Sequence, residues 1–125
     1  MTIKNILIVD DSKVEQIYLS ELLTSEGFLC RVADGASDAQ IAIESQRPDL
    51  ILMDVVMPGQ SGFQYTRTLS KDPLYSDIPI MLCTSKDQPT DKMWGMRQGA
   101  RDYIVKPVQK ADLLAKILAI AQAAR

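Results

Sequence analysis

The sequence predicts an α/β fold, a doubly wound parallel sheet of five strands flanked by five helices. Three observations carry that prediction. Apolar stretches of strand length alternate five times with stretches of helical period, the pattern of strand–helix–strand units that builds a parallel sheet. Two of the apolar runs, Ile6-Leu7-Ile8-Val9 and Leu50-Ile51-Leu52-Met53, have no polar break, the habit of strands buried on both faces. Both runs end on acids, Asp10 and Asp11 after the first and Asp54 after the second. Right-handed crossovers and short loops then restrict the topology strongly. A sheet of this size most often takes the flavodoxin-like order 2-1-3-4-5, with its switch point between strands 1 and 3. Those are the two acid-ended strands, and ligands of such sheets bind at the carboxyl ends of the strands beside the switch point.

The elements follow in order. After strand 1, Ser12 and Glu15 have capping-box spacing, so a helix begins there. Its apolar positions Val14, Ile17, Tyr18 and Leu22 repeat at helical period, and Gly27 is a natural stop. Residues 28–33 form a shorter, mixed strand suited to a sheet edge. Asp34-Gly35 turns the chain into a weak helix carrying Ala39, Ala42 and Ile43, which ends before Arg47-Pro48. Strand 3 leads, through Pro58, Gly59 and Gly62, to a helix over about 62–70 and a longer loop through Pro73 and Asp77. Residues 79–83 are strand 4, closing on Thr84-Ser85. A helix over about 90–98 is stopped by Gly99. Tyr103-Ile104-Val105 is a short fifth strand before Lys106-Pro107, and the last helix, from about Gln109, carries Leu113, Leu114, Ile117, Leu118 and Ala121.

At 125 residues the chain reads as one domain, residues 1–125, with one real core. The net charge of −2, with acids and bases scattered, gives no electrostatic reason to expect nucleic acid or membrane as a partner. No apolar run approaches the ~20 residues of a membrane span, and the N-terminus lacks a signal-peptide pattern, so a cytoplasmic location is expected. Cys30 and Cys83 form no paired-thiol motif and read as two buried, reduced thiols. Histidine is absent, which excludes a His triad, a His general base, a His metal ligand and phosphohistidine in this chain.

Under this topology the carboxyl edge of the sheet collects Asp10, Asp11, Asp54, Thr84 and Lys106. Three crowded carboxylates repel, so they call for protonation, a cation or both. Hard oxygen ligands open to water suit Mg²⁺. A carboxylate beside a bound Mg²⁺ can attack phosphorus and form an acyl phosphate. Lys106 and the Thr84 hydroxyl can then neutralise and hydrogen-bond the phosphoryl oxygens.

The chain resembles the response-regulator receiver domains of bacterial two-component signalling, the CheY-like superfamily, over essentially its whole length. The motifs that carry the resemblance are Ile-Val-Asp10-Asp11-Ser, Leu-Met-Asp54-Val-Val-Met-Pro58-Gly-Gln-Ser-Gly62, Leu-Cys-Thr84-Ser85 and Gly99-Ala-Arg-Asp-Tyr103-Ile-Val-Lys106-Pro107. The resemblance implies Asp54 as phosphoacceptor, and Asp10, Asp11, Asp54 and the Val56 carbonyl as the Mg²⁺ ligands. It implies Thr84 as the hydroxyl that moves onto the phosphoryl group, Lys106 as its ionic partner, and Tyr103 as the aromatic that rotates inward when Thr84 moves. It also implies a cis bond between Lys106 and Pro107. Residues 86–103 are similar, more narrowly, to the single-domain regulators of type IV pilus chemosensory systems, relatives of chemotaxis regulators that act in twitching motility or phototaxis.

The function expected is a stand-alone phosphorylation switch. A histidine kinase, CheA-like or hybrid, donates to Asp54, and the change reaches a protein-binding face on helix 4, strand 5 and helix 5. Met93, Trp94 and Met96 cannot all face inward, which makes the Trp94 region a candidate docking surface. The chain ends at Arg125 straight after the last helix, so output is expected from a partner protein or from drainage of phosphoryl groups from a shared kinase. The chain is expected to be monomeric, with a phosphorylation-linked dimer as the alternative. In this family the second residues after Asp54 and Thr84 set the kinetics. Val56 and Lys86 offer no carboxylate or amide to orient water, so intrinsic loss of the phosphoryl group is expected not to be especially fast. Self-phosphorylation and autodephosphorylation are the only catalysis expected. Two rivals remain open. A Mg²⁺-dependent aspartyl-phosphate phosphatase would place a second Asp where Val56 stands, and a phosphorylation-independent interaction module would not need the acids and Lys106.

Overall fold

A computed structural model describes residues 2–123; Met1, Ala124 and Arg125, the expected chain end after the last helix, lie outside the described residues. Ten elements alternate along it: β1 (Asn5–Val9), α1 (Lys13–Thr24), β2 (Leu29–Ala33), α2 (Ala36–Ser45), β3 (Leu50–Met53), α3 (Gly62–Lys71), β4 (Ile80–Thr84), α4 (Pro89–Arg97), β5 (Asp102–Val105) and α5 (Lys110–Ala123). The strands form one sheet in the order β2-β1-β3-β4-β5, and every pairing is parallel. The mixed second strand is an edge, as its composition predicts.

Residue parity divides the core in two. Leu7, Val9, Ile51, Met53, Ile80, Leu82 and Tyr103 pack with residues of α2 and α3 on one face of the sheet. Ile6, Ile8, Leu50, Leu52, Met81, Cys83 and Ile104 pack with Leu19 and Leu23 of α1 and Leu113 and Ile117 of α5 on the other. Each fully buried Leu or Ile contributes about 1.5–3 kcal/mol of transfer free energy. Strands covered on both faces in this way have no room for polar residues until they end, which is why the acids stand at their tips.

Local details depart from the sequence expectation. In α1 the inward positions are Gln16, Leu19 and Leu23, whereas Val14 is 78% exposed and Ile17 58% exposed. Tyr18 is also exposed, and its hydroxyl reaches over to donate to the Val108 carbonyl at 2.5 Å. The helix has apolar residues on two sides, and periodicity alone cannot say which side meets the sheet. The capping box is only half formed. Glu15 N–H donates to Ser12 Oγ at 3.3 Å, but the Ser12 N–H donates to Asp10 Oδ1 at 2.9 Å and is not available to Glu15. A complete box forms instead at Ser61 and Gln64, which starts α3. In α5, Leu118 points outward and Ile120 inward. Cys83 is buried, but Cys30 is only half-buried because β2 is an edge strand; both thiols are free. No helix among the described residues is long and apolar enough to cross a membrane.

Candidate functional site

The register places the chemistry. Val9 pairs with Met53, so Asp10 and Asp54 follow side by side, and the Asp54 N–H continues the ladder to the Val9 carbonyl at 2.9 Å. Thr84 pairs with Val105, and the Lys106 N–H donates to the Thr84 carbonyl at 2.8 Å, which brings Lys106 to the same edge. Asp10, Asp54 and Lys106 continue the parity of the α1/α5 face. Thr84 and Tyr103 belong to the opposite face. The β3–α3 loop can close over Asp54 because residue 62 is glycine: a Cβ there would overlap the Asp54 carbonyl oxygen.

Each of Asp10, Asp11 and Asp54 offers a carboxylate oxygen, and the three oxygens lie within 4.8 Å of one another. Asp10 and Asp54 are buried and Asp11 is exposed. Adjacent residues of a regular strand point to opposite faces; here the chain leaves strand geometry after Val9, so both acids reach one pocket. Lys106 Nζ sits 2.7 Å from Asp10 Oδ2 and 3.6 Å from Asp54 Oδ1. One ammonium therefore contacts two of the three carboxylates, and the cluster keeps a local formal charge of −2. Burial pushes the Asp54 carboxyl above its ordinary range; Lys106 opposes that shift, while Asp10 and Asp11 add to it. Burial works to lower the Lys106 pKa, but the hydrogen bond to Asp10 and the charges of Asp54 and Asp10 outweigh it, and the ammonium is held above its usual range. Oxygen-only donors, one of them solvent-exposed, with excess negative charge fit a hard divalent cation such as Mg²⁺ that keeps part of its water shell.

Thr84 is fully buried, and its Oγ1 accepts a long 3.4 Å hydrogen bond from the Lys86 N–H. The Tyr103 hydroxyl donates to the carbonyl of the same residue, Lys86, at 2.8 Å. Two side chains thus hold one point of the β4–α4 loop from two sides. The Tyr103 ring lies inside, 3% exposed, and burial pushes its pKa up to about 12. The Lys106–Pro107 peptide bond is cis. Val56 lies on the loop two residues past Asp54 with its side chain exposed. Met93, Trp94 and Met96 are all exposed, and Gly95 is the one buried residue of α4.

Two contributors were not anticipated. Gln16, nearly fully buried, donates through Nε2 to the Asp10 carbonyl at 2.6 Å and to Asp34 Oδ1 at 2.7 Å. The Ser12 backbone N–H fixes one Asp10 oxygen. A glutamine within an otherwise apolar helical face was the available signal, but it does not announce what the amide will meet.

A strand-tip cluster of three carboxylates and a lysine, with a buried threonine one strand away, thus stands at the switch point of a parallel sheet of order 2-1-3-4-5. The family described as response regulator receiver domain matches residues 6–118, and the chain belongs to that family. It is 49% identical over 115 residues to the protein PilH of Pseudomonas aeruginosa, spanning 92% of this chain and 95% of PilH. It is 38% identical over 117 residues to the phosphate regulon transcriptional regulatory protein PhoB of the same organism, and there it spans 94% of this chain but only 51% of PhoB. Among solved structures, the Vibrio cholerae chemotaxis protein CheY4 superposes with a TM-score of 0.87 at 28% identity, covering 95% of this chain and 99% of CheY4.

Proposed function

We propose that the chain, as a single receiver domain over residues 1–125, is a phosphorylation switch that takes a phosphoryl group from the phosphohistidine of a histidine kinase onto Asp54. The observation that carries the reading is the Lys106 ammonium placed between Asp10 and Asp54, at 2.7 and 3.6 Å, beside a third carboxylate. An Asp54 carboxylate oxygen attacks phosphorus, the P–N bond to the kinase imidazole breaks, and the imidazole keeps the electron pair and picks up a proton. An acyl phosphate remains on Asp54. Asp10, Asp11, Asp54 and the Val56 carbonyl are the groups to hold Mg²⁺, which when bound supplies positive charge against the phosphoryl oxygens. Lys106 shifts its ion pair from Asp10 toward the new phosphoryl oxygens. The Thr84 hydroxyl donates to them, giving up the weak bond from Lys86, and so frees the loop that Tyr103 also holds. The readout surface is α4, β5 and α5, where Met93 and Trp94 are exposed.

The likeness to PilH supports a cytoplasmic role in chemotaxis-like control of type IV pilus motility, exercised on a partner protein or by draining phosphoryl groups from a shared kinase. Complementation of P. aeruginosa lacking PilH, scored by twitching, tests this assignment; failure with a stable, phosphorylatable protein contradicts it. The phosphorylation reading is tested by beryllofluoride binding with Mg²⁺. Saturable binding abolished by Asp54→Asn supports it, and no binding by the folded wild-type chain rejects it in favour of a phosphorylation-independent module.

A further inference from the structure

We infer that Gln16 is a positioning residue for the cation site: its carboxamide clamps the Asp10 peptide to Asp34 and thereby sets the affinity for Mg²⁺. This rests on the metal reading above and extends it to a residue that holds a ligand residue without itself reaching the ion. Gln16 sits on the first turns of α1 and is only 4% exposed. Its Nε2 has two protons, and both are used, one on the Asp10 carbonyl at 2.6 Å and one on Asp34 Oδ1 at 2.7 Å. Both partners are acceptors, so the nitrogen and not the oxygen of the amide must face them. The far end is itself anchored, since Lys13 Nζ lies 2.7 Å from the same Asp34 oxygen. Lys13 foremost, then Gln16, holds the Asp34 carboxyl below its ordinary range.

The Asp10 carbonyl belongs to the peptide that joins Asp10 to Asp11. Rotating that peptide swings Asp11 relative to Asp10, and in plain strand geometry the two side chains would diverge. Every polar group of Asp10 is engaged: its N–H on the Ala33 carbonyl, Oδ1 by the Ser12 N–H, Oδ2 by Lys106 and the carbonyl by Gln16. Two of these hold Asp10 itself, the Ser12 N–H closes a turn across Asp11, and the Gln16 bond sets the orientation of the Asp10–Asp11 peptide within that turn. Residues that orient metal ligands from behind typically alter affinity 10–100-fold when replaced.

The test is calorimetric titration of Mg²⁺ into the metal-free full chain, with urea unfolding of each variant alongside. Gln16→Met keeps the length and removes the donor; Gln16→Glu keeps the shape and sets an acceptor against two acceptors. The expected result is Mg²⁺ affinity weakened by about 10-fold or more in both, with Asp34→Ala, an exposed change, giving a smaller loss in the same direction. A folded Gln16→Met chain with wild-type affinity overturns the inference, even if its urea midpoint has fallen, because that pattern is a purely structural role. If the Gln16 variants do not fold, Asp34→Ala decides, and unchanged affinity there overturns it. A wild-type chain that takes up no Mg²⁺ overturns the metal reading itself, a result distinct from wild-type binding that Gln16 does not influence.

Discussion

Replacing Gly95 by alanine probes how α4 and Tyr103 share space. A Cβ at residue 95 would stand 2.5 Å from Leu82 Cδ1, 3.2 Å from Tyr103 Cδ2 and 3.3 Å from Phe63 Cε1. In a helix interior alanine is favoured over glycine by about 1 kcal/mol, so an uncrowded site would gain that much. Here the methyl overpacks the face where α4 meets β4 and β5, at a cost of about 1–3 kcal/mol. The net expectation is a loss of roughly 0–2 kcal/mol from these two terms. Leu82 is fully buried, so its Cδ1 has to shift within the core and crowds the Tyr103 ring, which can turn outward by giving up its hydroxyl bond to Lys86, about 1 kcal/mol. Gly95→Ala should therefore leave Tyr103 more accessible. The assay is urea unfolding together with tetranitromethane modification mapped by peptide mass, with buried Tyr65 as internal control. Faster modification of Tyr103 at unchanged Tyr65 is expected. A variant that gains the full propensity increment with Tyr103 still protected would refute the packing argument.

Other perturbations have definite signs. Lys106→Met leaves Asp10, whose side chain is 2% exposed, without its ammonium; the expected loss is about 3 kcal/mol, part of it regained on adding Mg²⁺, and beryllofluoride binding should weaken. Equal urea midpoints for wild type and variant in metal-free buffer would contradict the ion-pair account. The Tyr103 hydroxyl, raised to about 12 chiefly by burial and then by Asp91 and Asp87, stays protonated in the fold after an unfolded tyrosine has ionised. Its contribution to stability is thus fully present below the ordinary tyrosine pKa of about 10 and is lost as pH rises from there through 12. Tyr103→Phe should flatten the fall in urea midpoint over that window, and an unchanged slope would count against it.

The strand order and the edge carrying Asp10, Asp54, Thr84 and Lys106 were legible because parallel strands buried on both faces admit only apolar residues, and that pattern survives in one dimension. The same constraint made the acid-tipped strands stand out. What was not legible depended on phase and competition. In α1 the apolar set containing Val14 and Ile17 and the set containing Leu19 and Leu23 have the same period, and only packing against β1 and β2 selects between them. Glu15 matched a capping box, yet Asp10 claimed the Ser12 N–H first, a competition between groups of one loop that spacing does not encode. Gln16 was invisible for a related reason: a buried amide has no signature until its acceptors, the Asp10 carbonyl and Asp34, are brought beside it by the fold. The inward ring of Tyr103 likewise depends on the missing side chain of Gly95.

If Asp54 is the phosphoacceptor, it is the one residue of the chain that a phosphodonor modifies. The direct measurement is incubation with acetyl phosphate and Mg²⁺, reduction with borohydride, which converts an aspartyl phosphate to homoserine, and peptide mass mapping. Homoserine at residue 54 alone, absent when Mg²⁺ is chelated, is the result predicted. Homoserine at residue 10 or 11, or none anywhere in the folded chain, would contradict it.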